Sequence, residues 1–356
     1  MEDSAASKRS VTVADVAKAA KVSKATAARV LGGYGVVSDE IKDRVMAAAA
    51  ALEYRPNELA RSMSTGRSGI IGVVVGDIEN AFFSLAVRGI SDAARLAGYN
   101  VIIANSGEKL DAEKSAVDLL IGKRVDGLIV TPARCDGMGH LQDVRRAGVP
   151  LVLFDRSIPE LGVDAVTGDD RDAAITATRY MVDQGHRHLA YVSAMDDEGG
   201  GLIDTGRISN SAVRERVEGF VSVLKEAGLP HPLHSVRFGA TDQQQTDSVV
   251  RRLLSEASPP TALLASDSLV GLRIFRSLQS LGLSIPRDVS MISFLDADWT
   301  SVTVPPITVI DQHVYDMGKL AGERLVARIE RTPLAAERLR VGTSLVVRGS
   351  VAAPGG

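Results

Sequence analysis

Apolar residues near the start of the chain recur with helical spacing. One helical face would carry Val13, Val16, Ala17 and Ala20. Thr12 precedes this segment as a candidate N-cap, and Ser23 is the candidate cap of a second segment, VSKATAARVL (22–31). Two short helices joined by so tight a turn predict a helix-turn-helix, whose second helix enters the DNA major groove.

A third helix is predicted after the glycine-rich segment 32–35. Ser38 is its candidate cap, and its buried stripe would be Ile41, Val45, Ala48, Ala49 and Leu52. Pro56 disfavours helical geometry at Arg55 and ends it. The segment NELARSM (57–63) follows, and so short a helix would be marginal in water unless it folds against DNA or a second copy of the chain.

From residue 69 onward the pattern changes to buried strands alternating with amphipathic helices. Strands are predicted at 70–75, 100–105, 127–130, 150–155, 188–193, 262–266 and 290–296. Helices are predicted between them at 84–97, 113–123, 173–184, 214–227 and 268–281. This βαβ repetition predicts an α/β fold with parallel sheets and right-handed crossovers.

Polar and aromatic residues follow the ends of these strands, where ligands bind in open α/β sheets. The candidates are Asp77, Asn80, Phe82, Phe83, Asp155, Arg156, Arg216, Ser266, Asp267, Asp296 and Gln312. Carboxylates and guanidinium groups can each bridge two adjacent hydroxyls, and aromatic faces stack on the C–H surface of a sugar. The pattern therefore indicates a monosaccharide site. Each residue also has a purely structural alternative: a phenylalanine in the core, Asp155 as a loop cap, Arg216 in a surface ion pair with Glu215 or Glu218.

Charge separates the two parts of the chain. Between residues 8 and 67 there are 11 Lys or Arg and 6 Asp or Glu, whereas the whole chain has a formal charge of −3. A basic head on an acidic body suggests that the head contacts a polyanion. The first nine residues do not resemble a signal peptide, and no apolar run is long enough to cross a membrane. With one cysteine, Cys135, the expectation is a cytoplasmic protein without an intrachain disulfide.

Other motifs carry little chemistry. His186 and His188 could form a metal pair but lead into a strand, and His231 and His234 lie among prolines. Gly32–Gly35 is not a phosphate loop, because no Lys-Ser/Thr follows it. Neither a nucleophilic triad nor a carboxylate pair is recognisable, so the expectation is no enzyme, no metal and no cofactor.

The segments VTVADVAKAAKVSKATAARVL and VSDEIKDRVMAAAAALEYRPNELARSM, together spanning residues 11–63, resemble the DNA-binding headpiece of the lactose-repressor (LacI/GalR) family. The resemblance implies that Lys24, Ala25 and Arg29 face bases in the major groove. It implies phosphate contacts for Thr12, Ser23, Thr26 and Ser38. It also implies a hinge helix carrying Asn57, Ala60 and Met63, with methionine where the family wedges a leucine into the minor groove.

The α/β part is similar to the periplasmic sugar-binding proteins, whose fold is also that of the LacI/GalR regulatory core. That similarity implies two lobes around a cleft and a sugar held by the strand-end residues above, with Asn210 as a further contact. Two departures weaken the likeness to ribose binders: Ser266 replaces a common Asn, and segment 239–241 lacks an aromatic residue.

The expected organisation is a tail (1–9), a helix-turn-helix domain (10–56), a hinge helix and linker (57–68), a first lobe (69–166 and 313–336) and a second lobe (167–312 and 337–350). The expected function is a homodimeric repressor that binds a pseudo-palindromic DNA operator and is controlled by a neutral sugar or sugar alcohol. The alternatives are a sugar-binding protein for transport, which would need no basic head, and a sugar-processing enzyme.

Overall fold

The computed structural model describes residues 11–32, 35–54, 67–195, 204–332 and 335–355. The chain divides into two compact units, Met1–Gly69 and Ile70–Gly356. The predicted hinge residues Asn57, Ala60 and Met63, the tail 1–9 and the first part, 196–203, of the glycine-rich loop 196–210 lie outside the described ranges.

The described part of the first unit contains the three predicted helices α1 (Val13–Ala19), α2 (Lys24–Gly32) and α3 (Asp39–Ala51). Their shared core contains Val16, Ala17, Ala27, Val45 and Ala49. The Arg44 guanidinium of α3 donates hydrogen bonds to the carbonyls of Ala20, at 2.7 Å, and Lys21, at 3.2 Å. This contact holds the turn between α1 and α2, so the third helix braces the helix-turn-helix.

The second unit begins with alternating strands and helices, which supply most of the first lobe. They are β1 (Ile70–Val75), α4 (Ala81–Leu96), β2 (Asn100–Asn105), α5 (Leu110–Gly122), β3 (Gly127–Val130), α6 (Gly139–Arg146), β4 (Leu151–Phe154) and β5 (Asp164–Gly168). The predicted strands agree within a residue or two. Helix α6 and strand β5 were not predicted, because neither segment is long enough for a clear period.

The second lobe continues the alternation. Its elements are α7 (Asp170–Asp183), β6 (Leu189–Val192), α8 (Ser211–Glu226), β7 (Val236–Arg237), α9 (Gln243–Leu254), β8 (Ala262–Ala265), α10 (Ser268–Ser280), β9 (Ser290–Phe294), α11 (Asp298–Val302) and β10 (Thr308–Asp311). The chain then forms α12 (Val314–Ile329), β11 (Arg338–Val341) and β12 (Ser344–Val346).

Two six-stranded sheets result, in the orders β11-β5-β4-β3-β1-β2 and β12-β10-β9-β8-β6-β7. All pairings are parallel except β10 with β12. The chain thus crosses between the lobes after β5, after β10 and between β11 and β12.

The expected lobe boundary is wrong at two places. Strand β5 extends to Gly168 within the first sheet, and β11 pairs with β5 there, Arg338 opposite Ala165, although 337–350 was assigned to the second lobe. A four-residue strand carries no sequence signal for which of two sheets it joins, because both offer an open parallel edge.

Helix α4 is fixed in place by close packing against α12. An added Cβ at Gly89 would collide with the backbone of Tyr315, and one at Gly318 with the backbone of Ala86. Only glycine allows the two helices to approach this closely. The N-terminus of α4, which carries Asn80, Phe82 and Phe83, is thereby held at the carboxyl end of β1.

Candidate functional site

The helix-turn-helix is capped by its own side chains. The Thr12 hydroxyl donates to Asp15 Oδ2 at 2.7 Å, and the same carboxylate oxygen accepts from the Thr12 amide at 2.9 Å. Ser23 Oγ accepts from the Thr26 amide at 3.0 Å and lies 2.8 Å from the Thr26 hydroxyl. The Thr12 hydroxyl oxygen also accepts from the Asp15 amide at 3.4 Å, so the predicted caps at Thr12 and Ser23 are confirmed. Ser38 is the N-cap residue of α3, as predicted, but its side chain makes no cap hydrogen bond to a described residue of that helix.

One face of α2 is free for recognition. Ala27 is fully buried in the three-helix core, whereas Lys24, Ala25 and Arg29 are exposed. Residues 25 and 29 are one helical turn apart, so their side chains lie on the same side of the helix. Ser23, Thr12 and Ser38 are also exposed, which leaves every expected DNA-contacting residue of the described headpiece accessible except the half-buried Thr26.

A cavity of about 680 Å³ opens between the two lobes, within the size range of small-molecule sites. Its wall is made at the carboxyl ends of the strands. Nine of the ten expected effector residues line it: Asn80, Phe82, Phe83, Asp155, Arg156, Asn210, Arg216, Ser266 and Gln312. The tenth, Asp296, does not appear among the described lining residues.

The aromatic pair forms one wall of the cavity. Asn80 is the N-cap of α4 and accepts a hydrogen bond from the Phe82 amide at 3.0 Å. The rings of Phe82 and Phe83 meet edge to face, with centroids 5.2 Å apart, and both side chains are buried. They belong to the first lobe's hydrophobic core as well as to the cavity wall, so the core interpretation is confirmed and the ligand contact stays a prediction.

Asp155 and Arg156 sit at the end of β4. Asp155 has a left-handed backbone, with φ of 66°, and its burial raises the pKa of its carboxyl group to about 6 against the opposing effect of Arg156. Arg156 Nε lies 3.3 Å from Asp155 Oδ2. Its two terminal nitrogens hold the Glu108 carboxylate at 2.6 and 2.8 Å, and one also donates to the Pro132 carbonyl at 2.7 Å.

Arg216 is buried, which excludes the alternative of a surface ion pair with Glu215 or Glu218. Its Nε donates to Asp170 Oδ1 and its Nη1 to the Ser266 carbonyl, each at 2.6 Å. The guanidinium also lies over the Phe294 ring, 4.5 Å from its centroid. Burial raises the pKa of Asp170, with Arg216 opposing. Strand β5 places Asp170 here, and that strand was not recognised in the sequence.

Asp296, which was expected to bind the ligand, is not among the described residues that line the cavity. Its carboxylate binds Arg348 Nη2 at 2.7 Å and accepts from the Thr300 hydroxyl at 3.0 Å. The preceding residue, Leu295, lines the cavity instead. The expectation from strand ends led to the cavity wall but was one residue out of register at this strand, because consecutive side chains leave a strand end in different directions.

Sequence reasoning also missed several lining residues, mainly Glu108, Lys109, Arg134, Met195, Thr241, Leu295 and Arg273. Glu108 follows β2 and could have been found as a strand-end residue, whereas Met195 and Arg273 had no such signal.

Asp267 was noted as a strand-end residue, and it lines the cavity. Its carboxylate also caps α10, accepting from the Leu269 and Val270 amides at 2.9 and 3.0 Å. Within segment 239–241, which lacks an aromatic residue, Thr241 lines the cavity and Ala240 is fully buried.

The histidines hold no metal cluster within the described ranges. His186 Nδ1 lies 2.8 Å from the Thr261 hydroxyl, and the rings of His231 and His234 stack, with centroids 5.3 Å apart. None of the described helices combines the length and apolar character needed to cross a membrane.

A helical unit with an exposed second helix, followed by two α/β lobes around a polar cavity, defines a DNA-binding regulator with a ligand-binding core. Residues 12–57 match the family model for bacterial regulatory proteins of the lacI family. Residues 68–346 match that for periplasmic binding proteins and the sugar binding domain of the LacI family. The chain therefore belongs to the LacI family.

Relatives extend over nearly the whole chain. The ribose operon repressor of Halalkalibacterium halodurans is 31% identical, covering 95% of this chain and 96% of that protein. Catabolite control protein A of Priestia megaterium is also 31% identical, covering 87% and 90%.

Solved structures are also similar over nearly the whole chain. A complex of the transcriptional regulator CelR with cellobiose has a TM-score of 0.69 at 27% identity, covering 96% of this chain and 99% of that one. The lac repressor dimer bound to operator and the anti-inducer ONPF has a TM-score of 0.81 at 24% identity, covering 97% and 100%, and shows the shared fold. The chain is thus a DNA-binding transcriptional regulator of the LacI family and not an enzyme.

Proposed function

We propose that this protein is a homodimeric, cytoplasmic repressor that reads a pseudo-palindromic operator through α2 and responds to a neutral sugar bound between the lobes. The observation that carries the proposal is the charge balance of the cavity. Its buried guanidinium groups already have carboxylate partners: Glu108 and Asp155 for Arg156, and Asp170 for Arg216. A phosphate would need a surplus of cationic or amide donors.

The ligand contacts follow from the wall. Asp155, Arg156 and Arg216 are proposed to bind hydroxyls, and Asn80, Asn210, Ser266 and Gln312 are proposed to make single hydrogen bonds. Phe82 and Phe83 provide an apolar surface for the C–H groups of a sugar. Removing a charged partner from a desolvated site costs about 2–5 kcal/mol, so the charged residues dominate the affinity.

The DNA contacts follow from the exposed face of α2. Lys24 and Arg29 can donate to guanine O6 and N7, and Ala25 offers a methyl surface. Thr12, Ser23, Thr26 and Ser38 are proposed phosphate contacts, and the segment with Asn57, Ala60 and Met63 is the proposed hinge. Effector control is then linkage: the sugar shifts the lobes between two arrangements, of which one supports operator binding.

A dimer is favoured by the exposed apolar edge of the first lobe. Strand β2 lies at the end of its sheet, and Ile102 and Ile103 are 38% and 45% exposed. Such an edge is a template for association unless it is covered. A two-fold symmetric reader also suits a pseudo-palindromic operator, so light scattering should give a dimer; a stable monomer at the concentration of operator binding would contradict it.

The DNA proposal is tested with Arg29→Ala. This change should weaken operator binding by about 1–3 kcal/mol for each base that the guanidinium no longer reaches, measured by electrophoretic mobility shift, and should leave sugar binding unchanged. Removal of residues 1–66 should likewise leave a sugar-binding dimer. An unchanged shift with Arg29→Ala would contradict the proposed base-reading face of α2.

The neutral-ligand proposal is tested with Glu108→Gln, which removes one carboxylate from Arg156. The intact protein should bind a sugar in preference to its phosphate, and the variant should lose much of that preference. Binding is followed by calorimetry, with fluorescence of the single tryptophan, Trp299, as a second signal, since its indole donates to Ser268 of the cavity wall at 2.9 Å. Glu79→Gln, also in the wall, is the control. Tighter binding of a sugar phosphate by the intact protein would contradict the proposal.

A further inference from the structure

The two lobes repeat one strand order, and this repetition makes their residues comparable. Counting from β2 in the first sheet and from β7 in the second, strands β4 and β9 occupy equivalent places. Each ends in a buried phenylalanine, Phe154 or Phe294. Each is followed by a residue with a left-handed backbone, Asp155 at φ of 66° and Leu295 at φ of 72°.

The backbone environment of these two residues is also the same. The Asp155 amide donates to the Val166 carbonyl at 2.8 Å, and the Leu295 amide donates to the Ile310 carbonyl at 2.9 Å. In each lobe the acceptor lies on the following strand of the sheet. Asp155 and Leu295 are therefore equivalent positions, and both line the cavity.

Leucine is an unusual choice at this place. A left-handed backbone favours Gly, Asn and Asp, and a bulky apolar residue there is strained. Leu295 is nevertheless only 3% exposed and belongs to the same hydrophobic cluster as Phe82 and Phe83. Its side chain extends the aromatic wall, where the first lobe presents a carboxylate.

The described wall of the second lobe has no other unoccupied carboxylate that could replace the one that Asp155 supplies in the first lobe. Among the described lining residues, Asp267 is the only carboxylate that this lobe contributes. It is already occupied by the Leu269 and Val270 amides and by the Ser266 hydroxyl, which donates to it at 2.7 Å. Leu295 offers no acceptor, so a ligand hydroxyl directed at its side chain would be buried against apolar surface.

We infer that the effector is a deoxy sugar, which turns a carbon without a hydroxyl toward Leu295, Phe82 and Phe83, and that Leu295 determines this specificity. The inference rests on the proposed binding of a neutral sugar in the cavity. The polar edge of the sugar binds Asp155, Arg156 and Arg216, and its deoxygenated carbon contacts the apolar wall.

The test compares pairs of sugars that differ by one hydroxyl, titrated calorimetrically into the full-length protein. Suitable pairs are 2-deoxy-D-ribose with D-ribose, L-fucose with L-galactose, and L-rhamnose with L-mannose. For at least one pair the deoxy member should bind about 10- to 100-fold more tightly, the range over which an apolar pocket rejects an added hydroxyl.

Three variants locate the preference. Leu295→Asn supplies a polar group at a backbone conformation that Asn tolerates well, and it should reduce the preference about tenfold or more. Leu295→Met keeps an apolar side chain and should retain it. Asp296→Asn, one residue further and outside the described cavity wall, should also retain it. The ratio of the two dissociation constants is the readout, because a general loss of stability would not change it.

Each other outcome overturns the inference in a distinguishable way. Equal binding of the two sugars, or tighter binding of the hydroxylated member in every pair that binds, overturns the deoxy specificity and leaves the proposed sugar response standing. Loss of the preference in Leu295→Met shows a structural effect and removes Leu295 as its determinant. No heat and no change in Trp299 fluorescence with any sugar overturns both the inference and the proposed neutral ligand.

Discussion

The first and second lobes share a strand order but differ in how each supports its buried arginine at the cavity. Arg156 of the first lobe pairs with Glu108, whose side chain is 40% exposed. Arg216 of the second lobe pairs with Asp170, whose side chain is 1% exposed. Arg156 thus has one carboxylate partner that solvent can reach, in addition to the buried Asp155 at 3.3 Å, whereas the carboxylate that pairs with Arg216 is buried.

This difference in the exposure of the partner carboxylates predicts different roles for the two arginines in folding stability and in ligand binding. A buried carboxylate without its arginine is left uncompensated, whereas an exposed one is rehydrated. We therefore expect the arginine of the second lobe to matter most for folding and that of the first lobe to matter most for the ligand.

The largest expected effect is on folding. Arg216→Met should lower the free energy of unfolding by about 3–5 kcal/mol, because it leaves Asp170 buried without its partner. Urea denaturation followed by circular dichroism measures this change. The double variant Arg216→Met with Asp170→Leu should recover much of the stability, and a single variant as stable as the wild type would remove the proposed contrast between the lobes.

The second effect is on binding. Arg156→Met should weaken sugar binding at least about thirtyfold, near 2 kcal/mol, and should lower the free energy of unfolding by less than Arg216→Met does. The two quantities are measured by calorimetry and urea denaturation on the same preparation. A larger folding defect than that of Arg216→Met would reverse the comparison.

The third effect depends on pH. The folded protein holds a proton on Asp155 up to about pH 6, which an unfolded aspartate loses near its usual pKa of 3.8. The contribution of Asp155 to folding stability therefore decreases as pH rises through this window.

Sugar binding should change in the opposite direction. A protonated Asp155 is a poorer acceptor, so affinity should fall by up to about tenfold for each pH unit below 6. Calorimetric titrations between pH 5 and 8 measure the slope, and Asp155→Asn should flatten it. A slope that persists in Asp155→Asn would assign the titration to another group. The second lobe cannot contribute at the equivalent position, because Leu295 does not titrate.

The smallest effect is expected at the residue that the sequence indicated wrongly. Asp296→Ala removes the partner of Arg348, and the two side chains are 31% and 19% exposed. Such a partly exposed pair contributes about 1 kcal/mol or less to stability. Sugar affinity should stay within about twofold of the wild type, and a thirtyfold weakening would return Asp296 to the ligand set.

Local patterns were sufficient for much of the molecule. Capping residues and helical spacing predicted α1, α2 and their turn, because these depend on contacts within a few residues. Short runs of apolar residues predicted β1, β3 and β4, since strands buried in a parallel sheet are apolar on both faces. Because ligands bind at the ends of strands in open α/β sheets, Asn80, Asp155 and Arg216 could be predicted to share one site although they are far apart in the chain.

The tertiary structure decided what no local pattern encodes. Strand β11 joins the first sheet through hydrogen bonds to β5, and Glu108 meets Arg156 across 48 positions of sequence. The choice of Leu295 over Asp296 at the cavity depends on a left-handed backbone at the end of β9. The sequence by itself indicated most of the longer helices and the buried strands and the end of the strands at which the cavity lies, because these follow from neighbouring residues. The partners of each charge, and the side chain that faces the ligand, depend on which distant segments fold against one another.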